Sequence, residues 1–321
     1  MRRRYQLALA LALVPLALVG LLLRSGTVKE GAQPPGELLR VLEWNICGAA
    51  QNCSNRGSTG VGTSLARLAE QVQFRTPDLL SVNEICHAQF VALQALLSVR
   101  GWRMEGAYAQ MHDNVPACGS DSSYGLAVFS REPLTAPAQY RPFASTSEEY
   151  VAQGRAERVR RGVLCAPTTV KFRRVVLCGA HSGTEPDQLV QAQEWFADAE
   201  LFPPDVPVVF AGDLNQQPNE APLAGLYSHT RGEKDTYEPR GRFIEADESD
   251  REWFRQGAAG GVRCDDPGVA RCRNGAPTAD DGRKIDYIFA TEAHFNSPTG
   301  RTEDFPESDH VLYEASFRFL E

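Results

Sequence analysis

The feature that most constrains this chain is a short apolar run ending in polar residues: Val206 to Pro218 reads VPVVFAGDLNQQP. Val208, Val209 and Phe210 are β-branched or aromatic, which suits a strand buried on both faces, and Gly212 predicts a turn as the chain leaves the core. Asp213 and Asn215 then emerge at the strand's carboxyl end. Layered α/β folds carry their chemistry there, because a rigid sheet fixes the loop above it. An Asx turn at an ordinary strand exit explains this stretch equally well when it is taken alone. Other runs end in the same way, however. VLEWN delivers Asn45, DLLSVNE delivers Glu84 and VVLCGAH delivers His181; KIDYIF carries Asp286, and SDH at 308–310 precedes a final strand, VLYEASFRF. So many polar groups at strand ends predict one shared site.

Between these runs the periodicity changes to helical. Thr63 or Ser64 caps a helix to about Phe74, which Thr76-Pro77 stops. A second helix covers His87 to Val99, with Phe90, Val91, Leu93, Leu96 and Leu97 at helical spacing, and a third covers Pro186 to Glu200. Strands predominate from Trp102, and Gly232 to Gly282 reads as loops with a short strand at Arg242 to Ala246. Two strand-rich halves with helices outside predict an α/β fold, a four-layered sandwich in which two central mixed β-sheets are flanked by helices. At 321 residues and 42% hydrophobic content the chain can bury one large core, and residues 39–321 read as one domain.

Residues 1–38 stand apart. An arginine cluster precedes the apolar stretch Leu7 to Leu23, which as a helix spans roughly 26 Å, the lower limit for crossing a bilayer. It is either a signal peptide or a short anchor, and a Pro/Gly-containing spacer follows. Both readings send the domain out of the cytoplasm. The even count of 8 cysteines, with no CxxC pair, fits disulfides rather than a thiolate metal site. A hairpin turning near Lys171-Phe172 places Cys165 opposite Cys178. Cys264 with Cys272 and Cys47 with Cys53 close short loops, which leaves Cys86 for Cys118.

A net charge of −8 argues against a protein that coats nucleic acid through a general basic field, although local arginines or a bound cation can still hold phosphate. Arg155, Arg158, Arg160 and Arg161 crowd together. A basic run is ordinarily a solvated face; as a phosphate clamp, Arg161 is the residue placed to reach the site. Glu84, Asn45 and Asp309 are hard oxygen donors that suit Mg²⁺, with Mn²⁺ or Ca²⁺ as alternatives, better than zinc. His181 and His310 suit proton transfer or donation to phosphate, and Asp286 is placed to hold one imidazole tautomer of His310.

WN at 44–45, NE at 83–84, AHS at 180–182, GDLN at 212–215, KIDYIF at 284–289 and SDH at 308–310 together resemble, in order, the motifs of the endonuclease/exonuclease/phosphatase superfamily, the DNase I-like fold. The resemblance implies metal-dependent cleavage of a phosphoester by water. It implies that Glu84 binds the metal with help from Asn45, and that Asp213 and Asn215 position the water or stabilise the transition state. His181 and His310 would contact the scissile phosphate, His310 being oriented by Asp286 and supported by Asp309. One departure is Asn83, where family nucleases commonly have Gln; bacterial sphingomyelinases resemble the chain better there, whereas AHS is closer to secreted deoxyribonucleases. The expected substrate is DNA or RNA, acted on outside the cytoplasm by a monomer without a protein partner. A phospholipid phosphodiesterase or phosphatase is the alternative, for which Trp253-Phe254 is the candidate membrane tip.

Overall fold

The computed structural model describes residues 36–48, 63–113, 115–120, 122–152, 155–218, 220–228, 240–248, 273 and 275–321. The Leu7–Leu23 segment, Cys53, the Cys264/Cys272 loop and Trp253-Phe254 lie outside the described residues. From Gly36 onward the order is β1 (Leu38–Asn45), α1 (Thr63–Arg75), β2 (Leu79–Cys86), α2 (His87–Val99), β3 (Glu105–His112), β4 (Tyr124–Ser130), β5 (Gln139–Pro142), β6 (Ser147–Ala152) and β7 (Arg155–Val159). There follow β8 (Gly162–Val170), β9 (Arg173–His181), α3 (Pro186–Ala197), β10 (Val208–Asp213), α4 (Ala221–Ala224), β11 (Phe243–Glu245), β12 (Asp286–Thr291), β13 (Phe295–Glu303) and β14 (Leu312–Phe319).

Two six-stranded mixed sheets form, in the orders β13-β14-β1-β2-β4-β3 and β11-β12-β10-β9-β8-β5. Each has a parallel pair at its centre, β1 with β2 and β9 with β10. Parallel neighbours need a crossover, which α1 and α3 supply. Val41, Leu79, Leu126 and Val128 of the first sheet meet Leu177, Val209, Ala211 and Ile288 of the second in an inter-sheet core. The opposite face of the first sheet carries Leu42, Trp44 and Leu80 against Leu68, Val72 and Leu93 of α1 and α2. That of the second carries Val208, Phe210 and Phe289 against Leu189 and Phe196 of α3. Three apolar seams separate four layers, the architecture expected from the order of elements.

Three local expectations are corrected. Gly212 does not turn the chain: β10 runs on through it to Asp213. At φ 148°, a Cβ on Gly212 would sit 1.9 Å from the Ala180 carbonyl oxygen of β9, so glycine is required by close strand approach. The third helix ends at Ala197, because Asp198 leaves the helical region and its Oδ1 accepts the Glu200 N–H at 2.8 Å in an Asx turn. β12 begins at Asp286 rather than Lys284, since the Ile285 and Asp286 N–H groups both donate to Thr278 Oγ1.

The β8–β9 hairpin turns at Lys171 and Phe172, both at positive φ (50° and 66°), and pairs Cys165 with Cys178 in register. That pair is a disulfide, as is Cys86–Cys118. Cys47 is also disulfide-bonded. Because Cys165–Cys178 closes a loop of sequence separation 13, the Cys165→Ser/Cys178→Ser variant is expected to unfold in urea with about 2–3 kcal/mol less stability. An unchanged unfolding free energy would show that the backbone pairing alone sets the hairpin.

Candidate active site

Period-two alternation decides which side chains reach the site. Leu39 and Val41 of β1 belong to the inter-sheet core while Leu42 and Trp44 pack under the helices, so Glu43 and Asn45 point between the sheets. In the same way Leu177 leads to His181 along β9, Ala211 leads to Asp213 on β10, and Ile288 shares its face with Asp286 on β12. Each of these polar residues is buried.

The sheets approach closely here because the inward residues are small. A Cβ on Gly179 would lie 2.6 Å from Val128 Cγ1, and Ser81 Oγ donates to the Ala211 carbonyl of the opposite sheet at 3.3 Å. Asn83 completes the crossing: its Nδ2 donates to the Ala180 carbonyl of β9 at 2.7 Å and its Oδ1 accepts the Asp213 N–H of β10 at 3.2 Å. The residue that departs from the nuclease pattern therefore ties the sheets together beneath Asp213. Next to it, β2 and β4 slip register between Val82 and Ile85, and Glu84 has φ 57°. A bulge of this kind re-aims a side chain, and left-handed backbone at a non-glycine residue is strained. Here it turns Glu84 toward Asn45.

One amide lies among the ionisable groups. Asn45 Nδ2 donates to Glu84 Oε1 at 3.0 Å and to Asp213 Oδ2 at 3.2 Å, and lies 3.4 Å from His310 Nε2. Its Oδ1 accepts the Cys47 N–H at 3.0 Å. As placed, Asn45 is thus a donor to the carboxylates, and direct metal ligation through Oδ1 requires the amide to turn over. Asp213 Oδ2 is 3.4 Å from His181 Nε2 and 3.8 Å from His310 Nε2, while its Oδ1 accepts the Asn215 N–H at 3.0 Å. Burial alone would raise the Asp213 carboxyl, but His310, His181 and Arg161 outweigh it and hold the group well below the usual range. His310 Nδ1 lies 2.9 Å from Asp286 Oδ2. Burial opposes a charge on His310, yet Asp286 and Asp213 beside it raise it well above an ordinary imidazole.

Long-range contacts hold this arrangement, some of them from the WN and SDH motifs, whose first residues have no role assigned from sequence. Ser308 Oγ donates to the Asn45 carbonyl at 2.7 Å and accepts the His310 N–H at 3.1 Å, while Trp44 Nε1 donates to the His310 carbonyl at 2.9 Å. The start of β12 is pinned by buried Lys284, whose Nζ is 3.2 Å from Glu245 Oε1 and 3.1 Å from Asp247 Oδ2. Arg161 and Asn215 sit beside the cluster, Arg161 Nη1 and Asn215 Nδ2 both donating to the Ser182 carbonyl, at 2.6 and 2.9 Å. Both line a cleft of about 440 Å³. Asp309 is adjacent in the chain, but its backbone carbonyl takes the Asp280 N–H. Its carboxylate is outside the two groups, Glu84/His181/Asp213 and Asp213/Asp286/His310, whose ligand atoms lie within 4.8 Å of one another.

Glu43 lies below the cluster, fully buried, with neither carboxyl oxygen hydrogen-bonded among the described residues. Burial, with Asp286 and Asp213 close by, outweighs the charges of His310 and Lys284 and raises it well above the ordinary carboxyl value, which favours the protonated form in the fold. The unfolded chain releases that proton above about pH 4.3, so rising pH favours unfolding by up to about 1.4 kcal/mol per unit until the folded group titrates. Glu43→Gln keeps the shape without the titration. Urea unfolding is expected to give similar stabilities at pH 4 and a variant that gains on wild type as pH rises from there; a pH-independent gap would contradict the raised carboxyl.

The family model described as Endonuclease/Exonuclease/phosphatase family matches residues 42–310. Among solved structures, an endonuclease/exonuclease/phosphatase from Beutenbergia cavernae DSM 12333 superposes with TM-score 0.57 at 22% identity, over 88% of this chain and 72% of that one. The human Nocturnin catalytic domain with bound sulfate anion gives 0.54 at 16% identity, over 88% and 95%. D. rerio TDP2 complexed with a single-strand DNA product gives 0.51 at 18% identity, over 88% and 99%. At these identities the likeness is one of fold. No curated protein sequence matches the chain. Since the match runs from β1 to the final SDH segment and the stacked sheets are those of the DNase I-like fold, the chain belongs to the endonuclease/exonuclease/phosphatase family, whose members hydrolyse phosphodiester bonds.

Proposed function

We propose that the protein is a divalent-metal-dependent nuclease that hydrolyses DNA or RNA phosphodiesters outside the cytoplasm. The observation that carries this reading is the convergence of two carboxylates, Glu84 and Asp213, on one Asn45 amide beside two imidazoles. Buried like charges so close repel unless something neutralises them, and an oxygen-rich donor set of this kind fits a hard cation such as Mg²⁺. Glu84 is the principal ligand, Asn45 supports it, and Asp309 contributes through its charge near His310. When bound, the ion supplies charge neutralisation at the phosphate oxygens and loses few of its waters.

The chain's own groups do the rest. Asp213 stays ionised and accepts a hydrogen bond from the attacking water, with Asn215 holding its other oxygen. His310, charged and oriented by Asp286, presents its Nε2–H to a phosphate oxygen, and His181 Nε2 lies beside the same Asp213 oxygen, Oδ2. Arg161, buried against Ser182, faces the cleft where phosphate enters. Preorganised donors aimed at developing charge are the largest contributors to catalysis of this type.

The polar lining of that cleft supports a charged, water-soluble substrate over a lipid. Phe172, the most exposed large apolar side chain among the described residues, is at the far end of β9 from His181, roughly 30 Å along the strand. Disulfides Cys86–Cys118 and Cys165–Cys178 suit an oxidising compartment.

The test is to assay the purified protein, with and without EDTA, on plasmid DNA, RNA, sphingomyelin and bis(4-nitrophenyl) phosphate. Nucleic-acid cleavage abolished by EDTA is expected, with Glu84→Gln folded but inactive at saturating Mg²⁺. Sphingomyelin turnover without nucleic-acid cleavage would overturn the substrate assignment, and wild-type activity in Glu84→Gln would overturn the metal assignment.

A further inference from the structure

The β6–β7 hairpin belongs to neither large sheet. It ends at Val159, which is buried in the inter-sheet core, so the residues on either side of that anchor are held in place. Arg158 is exposed and Arg161 is buried. Arg158 is oriented by a two-point tether: Nε donates to Thr146 Oγ1 at 2.6 Å and Nη2 to the Thr146 carbonyl at 3.2 Å. Both guanidinium groups line the cleft that Asn215 also borders. The cleft is therefore continuous with the catalytic cluster and extends beyond it.

Its charge differs from that of the molecule. Among the described lining residues two arginines stand with one carboxylate, Glu185, a sum of +2 − 1 = +1, within a chain of net charge −8. Glu185 is itself turned toward Ser147 Oγ, which donates to it at 2.8 Å, and toward Gln188 Nε2 at 3.5 Å. An acidic protein repels a polyanion at long range, so phosphate must be captured by local, oriented donors. Arg161 lies nearest the catalytic groups, tied through Ser182 to Asn215. Arg158 lies farther out, and one phosphate at the catalytic cluster does not need it.

We propose that Arg158, with the outer part of this cleft, binds a second phosphodiester of the same strand, next to the one being cut, so that the enzyme selects polyphosphodiesters over substrates with one phosphate. The inference rests on the nuclease reading above and sharpens its substrate class. A phosphate contact of this kind positions a strand without reading its bases, so the selection is for chain length and charge rather than sequence. Sphingomyelin, or a small diester such as bis(4-nitrophenyl) phosphate, carries no second phosphate to occupy the subsite.

The experiment compares wild type, Arg158→Ala and Arg158→Lys on a single-stranded oligodeoxynucleotide of twelve nucleotides and on bis(4-nitrophenyl) phosphate, at several NaCl concentrations. Arg158→Ala is expected to lose at least about fivefold more kcat/KM on the oligonucleotide than on the small diester, mainly through KM. The slope of log(kcat/KM) against log[NaCl] is expected to become shallower by about 0.7, the value of one single-strand phosphate contact. Arg158→Lys, which keeps the charge, should recover most of that slope. Equal losses on both substrates, or an unchanged salt slope, would refute the subsite while leaving the nuclease reading intact. A wild type that hydrolyses the small diester and leaves the oligonucleotide whole would refute the nuclease reading and the subsite together.

Discussion

The chemistry of this protein depends on two sheets being held in one register, and the side-chain amide of Asn83 sets that register at the site. It joins the carbonyl of Ala180 to the N–H of Asp213 across the sheet boundary. A buried amide left without partners costs about 1–3 kcal/mol for each group, so sliding one sheet on the other is resisted by hydrogen bonding as well as by packing. Glu84, the next residue in the chain, belongs to the first sheet and Asp213 to the second. Their separation is therefore a property of the sheet interface. Small inward residues, Ser81, Gly179 and Ala211, make the close approach possible, and larger side chains at those positions would hold the carboxylates apart.

Electrostatics gives the groups distinct states although they share one buried space. Asp213 is stabilised as an anion by two imidazoles and Arg161. His310 is stabilised as a cation by Asp286 and Asp213. Glu43 is pushed toward the neutral form below them, because burial and the neighbouring Asp286 and Asp213 outweigh the charges of His310 and Lys284. A second buried network, Lys284 with Glu245 and Asp247, anchors the start of the strand that carries Asp286. Neutral, anionic and cationic groups are thus separated by environment rather than by residue type, as paired catalytic groups commonly are.

Much of this was legible in the sequence. The apolar runs VLEWN, VVLCGAH and VVFAGD end in Asn45, His181 and Asp213, which places these groups at strand ends but not on a given face, and the hairpin register of Cys165 with Cys178 follows from one turn. The helices and the two-sheet architecture follow from local periodicity and element order. What could not be read locally is long-range or conformational. The positive φ of Glu84 has no signal in its residue type, since a bulge depends on the neighbouring strand. Ser308 and Trp44 act on partners more than 260 residues away in sequence. Gly212 looked like a turn because glycine permits one, but it answers a close carbonyl instead. The buried charge at Lys284 depends on residues brought in from β11 and the turn after it, where apolar periodicity is weak.

The left-handed backbone at Glu84 aims its carboxylate toward Asn45 and Asp213 where the sheets meet, the position in which the proposed ion would be held. Anomalous diffraction from crystals grown with Mn²⁺ tests this directly. A peak is expected at coordinating distance from the Glu84 carboxylate, on the side enclosed by Asn45 and Asp213. A fully occupied ion elsewhere, with Glu84 unligated and its backbone still left-handed, would contradict it.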